Sequence, residues 1–193
     1  MRFSPLLVTD LIVKPLRYFF THYAKQANLI WDENEKKRTI EVATINDFHN
    51  VKLEAAPRVL VGRSTYQINK TGLTDNLVES KSIEQLKGKS DRTNMVFIQG
   101  SIQIIIEARE EGTCELITDM VSHFIIWSRP LLCDTQGFNE LGIPMQVGEC
   151  TPDKDSSEKF KVVINLPFIM EEDWRVNQDA LKIKDFFVEM AEL

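Results

Sequence analysis

The run MVFIQGSIQIIIEA, residues 95–108, constrains this chain more than any other feature. Val96, Ile98, Gly100, Ile102, Ile104, Ile106 and Ala108 recur at every second position. Gln99, Ser101, Gln103 and Glu107, with Met95, Phe97 and Ile105, fill the positions between them. Successive side chains of an extended strand point to opposite faces, so this period of two writes a strand with one buried face. Fourteen residues span roughly 46 Å when extended, long for a strand, and Gly100 is a place where it can bulge or bend. A strand buried on one side needs a second layer over that side.

The chain supplies helices for that layer. SPLLVTDLIVKPLRYFFTHYAKQ, residues 4–26, carries Leu11, Ile12, Leu16, Phe19 and Tyr23 at helical spacing. Ser4 or Asp10 can cap it by accepting from open backbone N–H groups. Pro15 either kinks it or marks its true first turn. After the long strand, Gly112 is a break and Thr113 a cap. Leu116, Ile117, Met120, Val121, Phe124 and Trp127 then predict a helix over 113–128, ended by Pro130. KIKDFFVEMAEL near the C-terminus repeats Ile183, Phe186, Phe187 and Met190 at the same spacing.

Further strands are expected at 38–45, 57–68, 143–150 and 158–170, the last two paired as an antiparallel hairpin around the polar TPDKDSS. Pro167 points to an edge or a strand end. Residues 69–94 are polar, with Gly72 and Gly88; they read either as an arm that orders on a partner or as a mobile loop. Together these elements predict an α+β fold, a mainly antiparallel sheet with helices packed on one face, plus a long loop or arm. Residues 1–193 form one domain, with 69–94 as the arm and 171–193 as a C-terminal tail.

Charge and cysteine usage narrow the function classes. A net charge of −6 is unlike the basic face of a protein that grips nucleic-acid phosphates. The three cysteines, Cys114, Cys133 and Cys150, form no C-x-x-C and read as reduced cytosolic thiols. Asp10 and Lys14 interrupt the N-terminal apolar stretch, which argues against a signal peptide, and no run reaches the ~18 apolar residues of a membrane span. The expected setting is a cytoplasm.

The stretch EEGTCELITDMVSHFIIWSRP, residues 110–130, holds the ingredients of a thiol hydrolase. Helical phase argues against one: nine residues put Cys114 and His123 about half a turn out of register and ~13 Å apart along the axis. Asp119 shares the face of His123 as an i,i+4 surface pair. Cys133, in LLCDTQGF, could still meet His123 or His49 in space, and a cytosolic thiol enzyme using Cys133 is the alternative from a different class. His22 lies among aromatics as a core-edge residue. Glu171, Glu172 and Asp173 could bind Mg²⁺ or Ca²⁺, but lack regular ligand spacing and read as a solvated acidic turn. No phosphate-binding glycine loop, dinucleotide fingerprint, zinc-protease helix or serine-nucleophile elbow is written in the chain. No catalytic, cofactor-binding or metal-binding residue is therefore assigned, and no cofactor is expected.

The order of elements carries one resemblance. An N-terminal helix, a strand opening with PRVLV, the strand GSIQIIIEA, the helix GTCELITDMVSHFIIW and a hairpin ending in FKVVINLPF resemble tail terminator proteins of tailed bacteriophages over most of residues 5–170. The 69–94 segment and the tail after 171 depart from the smallest members, which keeps a related neck or head-completion role open. The resemblance implies a structural virion protein and not an enzyme. It implies a self-assembled ring, typically a homohexamer, put together in the host cytoplasm. That ring caps the tail tube, stops its polymerisation and joins it to the head connector or neck. Tube protein, and in some tails sheath protein, would be the partners; DNA would only pass through the lumen, and no membrane is involved. A third class, a small adaptor whose 69–94 segment folds on a partner, fits the polar arm.

Overall fold

The computed structural model describes residues 5–45, 57–70, 92–153 and 156–176. Ser4, His49, most of the 69–94 arm and the C-terminal helix expected around Phe186 lie outside the described residues.

Helix α1 runs Pro5–His22 and is followed by two single-turn 3-10 segments, Ala24–Ala27 and Glu35–Lys37. Strand β1 is Glu41–Thr44, β2 Arg58–Lys70 and β3 Arg92–Ala108. Helix α2 spans Glu111–Gln136 and leads into β4 (Phe138–Leu141), β5 (Gln146–Val147), β6 (Thr151–Asp153) and β7 (Ser156–Val176). The seven strands form one sheet in the order β1-β2-β3-β7-β4, with β5 and β6 also paired to β7. All pairings are antiparallel except β1 with β2, which is parallel. The α+β class and the helices on one face of a mostly antiparallel sheet are as expected.

The long strand owes its place to its period. Ile98, Ile102, Ile104, Ile106 and Ala108 are all buried on the helix-covered face. Their neighbours in register, Val59 and Val61 on β2 and Val162, Ile164, Leu166, Phe168 and Met170 on β7, continue that face across the sheet. Helix α1 adds Val8, Leu11, Ile12, Leu16 and Phe20, and α2 adds Cys114, Ile117, Val121, Ile125 and Leu132. Phe19 and Phe124, with ring centroids 4.9 Å apart, join the two helices. Each fully buried aliphatic side chain contributes about 1.5–3 kcal/mol relative to exposure, which makes this shared layer the main stabilising term.

Several local expectations change. Pro15 lies inside α1, so it marks no first turn, and Asp10 is likewise interior and not a cap. Pro130 does not end α2, which continues to Gln136 and closes at Gly137, whose φ of 76° is the left-handed form glycine adopts readily. Both Pro130 and Ile126, whose carbonyl loses its helical N–H partner, are on the exposed side, where water can take the bond. The N-cap is Glu110 and not Thr113; Thr113 Oγ1 instead donates to Glu110 Oε2 at 3.2 Å.

Gly100 does not bulge. The irregularity lies on its neighbour, between Arg63 and Tyr66 of β2. A Cβ on Gly100 would fall 2.9 Å from the Phe168 ring and from Tyr66 Cβ, so the glycine makes room for two aromatic side chains. Pro167 is not on an edge strand either: β7 is flanked by β3 on one side. On the other side, however, pairing breaks between β4 and β5, and the Pro167 carbonyl accepts from Gly142 N at 2.7 Å there. One residue's N–H and C=O point the same way in a strand, so the missing N–H falls on that gap.

Candidate assembly surface

The chemically reactive residues do not converge. Cys114 is fully buried under α2, while His123 is exposed, as helical phase requires. His123 Nδ1–H donates to the Asp119 backbone carbonyl at 2.8 Å, so the expected i,i+4 pair uses main chain and not the carboxylate. Cys133 sits in α2 and not in a loop, and is half-buried against the core. His123 is ten positions earlier on the same helix, about 15 Å along its axis, so the two do not form a dyad. His22 is exposed and not core-edge, its ring 4.4 Å from that of Tyr18.

Glu171, Glu172 and Asp173 belong to β7 and not to a turn. Glu171 is exposed and accepts from Asn139 Nδ2 at 3.3 Å. Among the described residues, no group of three histidine, cysteine or acidic side chains could hold a metal ion.

Polar order is used structurally instead. Glu41, Arg58, Glu107 and Lys161 occupy successive strands at one level of the sheet, with alternating charge. Arg58 Nε donates to Glu107 Oε2 at 2.6 Å, and Arg38 Nη1 donates to Glu41 Oε2 at 2.9 Å. All four of these side chains are largely removed from water. Paired charges with low exposure fix register more than they add stability. Beside them, two guanidinium groups approach the Trp31 ring, Arg17 at 4.8 Å and Arg38 at 5.3 Å from its centroid. This stack fastens the 28–38 connection to α1 and borders an open groove of about 550 Å³ lined by Lys14, Arg17, Tyr18, Asp32 and Glu33 among others. The lining mixes both charges and selects neither an anionic nor a cationic ligand.

What stands out is apolar surface left uncovered. Helix α2 has a second apolar stripe, centred about 120° round the helix from its core face. Leu116, Met120, Trp127 and Leu131 fall within one ~60° arc at 100° per residue, of which Met120 packs half-buried against the core. Trp127 is 77% exposed and Leu131 63%. The sequence periodicity had placed Leu116 and Trp127 toward the sheet; the apolar spacing of α2 wraps more than one face, and burial selects the Cys114–Ile117–Val121–Ile125 side. At the tip of α1, Tyr18 and Tyr23 are also exposed.

The second uncovered feature is an edge. Strand β1 pairs β2 only from Arg58 to Val61. From Arg63 to Lys70 β2 continues against β3, and among the described residues no strand pairs its outer side. Ile68 on this extension is 60% exposed. An open strand edge is a row of unpaired backbone donors and acceptors, ready to take another strand. The chain matches no protein-family model and no curated protein.

Proposed function

We propose that this chain is a structural assembly subunit that closes into a homo-oligomeric ring, in the manner of a phage tail terminator or neck protein. The observation that carries this reading is the line of large apolar side chains on the outer face of α2. A stable interface removes about 800 Å² per partner, centred on aromatic anchors. Trp127 with Leu131 and Leu116 supplies such an anchor and its surround.

The outer edge of β2 beyond β1, which no strand pairs among the described residues, supports the same reading from another part of the molecule. A ring repeats one heterologous contact, in which two different patches of a subunit meet until the rotation closes. An apolar helix stripe and a strand edge that no strand pairs among the described residues are two such different patches on one chain. The net charge of −6 suits a ring whose lumen passes DNA without holding it. The order of elements described above is the basis for assigning the ring to the end of a tail tube, where strand edges would also meet tube subunits.

Sedimentation and native mass spectrometry of the purified chain, alone and with tail-tube protein, test this reading. A single closed oligomer, and tubes that stop growing when it is added, are expected. A monomer at tens of micromolar that leaves tube growth unchanged would overturn it.

A further inference from the structure

Cys114 and Cys150 lie far apart in sequence, yet the sheet brings them together. Strand β6 pairs β7 with Thr151 opposite Lys161 and Pro152 opposite Phe160. One step back, Gly148 N donates to Val163 O at 2.9 Å, so the chain through Cys150 runs beside Val162. Val162 faces the helix layer and is buried. Cross-strand neighbours share a face. Cys150 therefore turns toward α2, and it packs half-buried against the core.

Cys114 arrives from the other side. It stands in the first turns of α2, fully buried, with Sγ 3.7 Å from the carbonyl oxygens of both Ile106 and Phe160. Ile106 is the register partner of Val162. The two thiols come together over this point, with the Cys114 S–H directed at the two carbonyl oxygens.

We propose that Cys114 and Cys150 form an oxidisable dithiol, which a peroxide closes into a disulfide tying the first turns of α2 to the chain entering β6. In the first step the Cys150 thiolate attacks hydrogen peroxide, breaking the O–O bond; Cys150 becomes a sulfenic acid and hydroxide leaves. In the second, Cys114 sulfur attacks the Cys150 sulfur, the S–O bond breaks, and the oxygen departs as water with the Cys114 proton. Two thiols and one peroxide give one disulfide and two waters. Cys150 acts first because it is the accessible member, while Cys114 is fully buried. Burial pushes the Cys114 thiol up to about 12, with Cys150 and Glu115 adding to the rise, so it reacts only with a sulfur already beside it. Glu115 and Glu111 also hold the Cys150 thiol up, behind burial as the main cause, which makes closure faster as pH rises through the alkaline range. Cys133 lies elsewhere on α2 and takes no part.

The test treats the full chain with hydrogen peroxide, traps remaining thiols with an alkylating agent and maps peptides by mass spectrometry. The expected result is a linked peptide pair carrying Cys114 and Cys150, with Cys133 alkylated. Closing this loop should raise Tm by about 5–10 °C, reversed by dithiothreitol. Cys150→Ser should abolish both changes, and Cys133→Ser should leave both intact. If Cys150→Ser does not fold, Cys150→Ala serves in its place, and the cross-link in the unaltered chain remains decisive. Cys150 recovered fully alkylated, oxidised to sulfinic acid without a link, or joined to Cys133 or to a second chain would overturn the proposal.

Discussion

Trp127→Ser separates a surface built for a partner from a surface built for folding. An aromatic side chain offers about 150–250 Å² for burial. With 77% of Trp127 exposed in the single chain, about 120–190 Å² remains to be covered. At roughly 25 cal/mol per Å² this corresponds to about 3–5 kcal/mol on association, or about two to three and a half decades in Kd as an upper bound. Folding draws little on the same side chain, so its removal should change unfolding free energy by only about 0.5 kcal/mol. The assay is paired: urea unfolding of the dissociated chain, and sedimentation across a concentration series. Loss of the oligomer with an unchanged urea midpoint is the expected result. A large fall in the midpoint, or an oligomer of unchanged mass and affinity, would refute the assignment of this stripe to an interface.

Other expectations follow from the interior. Ile117→Ala, on the same helix but fully buried in its core face, should cost about 2–5 kcal/mol in urea unfolding, the inverse pattern to Trp127→Ser. Gly100→Ala should destabilise by about 1–3 kcal/mol, because Tyr66 Cβ is anchored to the backbone and cannot move aside; a neutral result in the same assay would contradict the close packing described. Stability should also fall at alkaline pH. Cys114 titrates near its ordinary value of 9.0 when unfolded and at about 12 when folded, so the stability it contributes is complete below pH 9 and is lost as pH rises toward 12. Cys114→Ala should flatten that part of the pH profile.

The legibility of the fold varied with the range of the interactions that set each part. Period two in residues 95–108 identified both the strand and its buried face, because alternation is a property of the local backbone. Helical phase separated Cys114 from His123 for the same reason. The limits of α2 were harder to read. Pro130 carries a strong local stop signal, and only the exposure of the lost hydrogen bond, a tertiary fact, lets the helix run on. The parallel pairing of β1 with β2 and the small strand Phe138–Leu141 depend on contacts with distant residues and have no local signature. The outward direction of Trp127 was hidden because α2 is apolar on more than one side, so spacing alone could not choose the core face. The meeting of Cys114 with Cys150 rests on the register of β6 against β7, which no single stretch encodes.

The central claim is self-assembly into a closed ring, and the mass of the native particle tests it most directly. Native mass spectrometry at micromolar concentration should give one discrete species near six times the 22.3 kDa of a single chain, dissociating to the single-chain mass when Trp127 is replaced by serine. A spectrum holding only the single-chain mass at every concentration, with or without tail-tube protein, would contradict it.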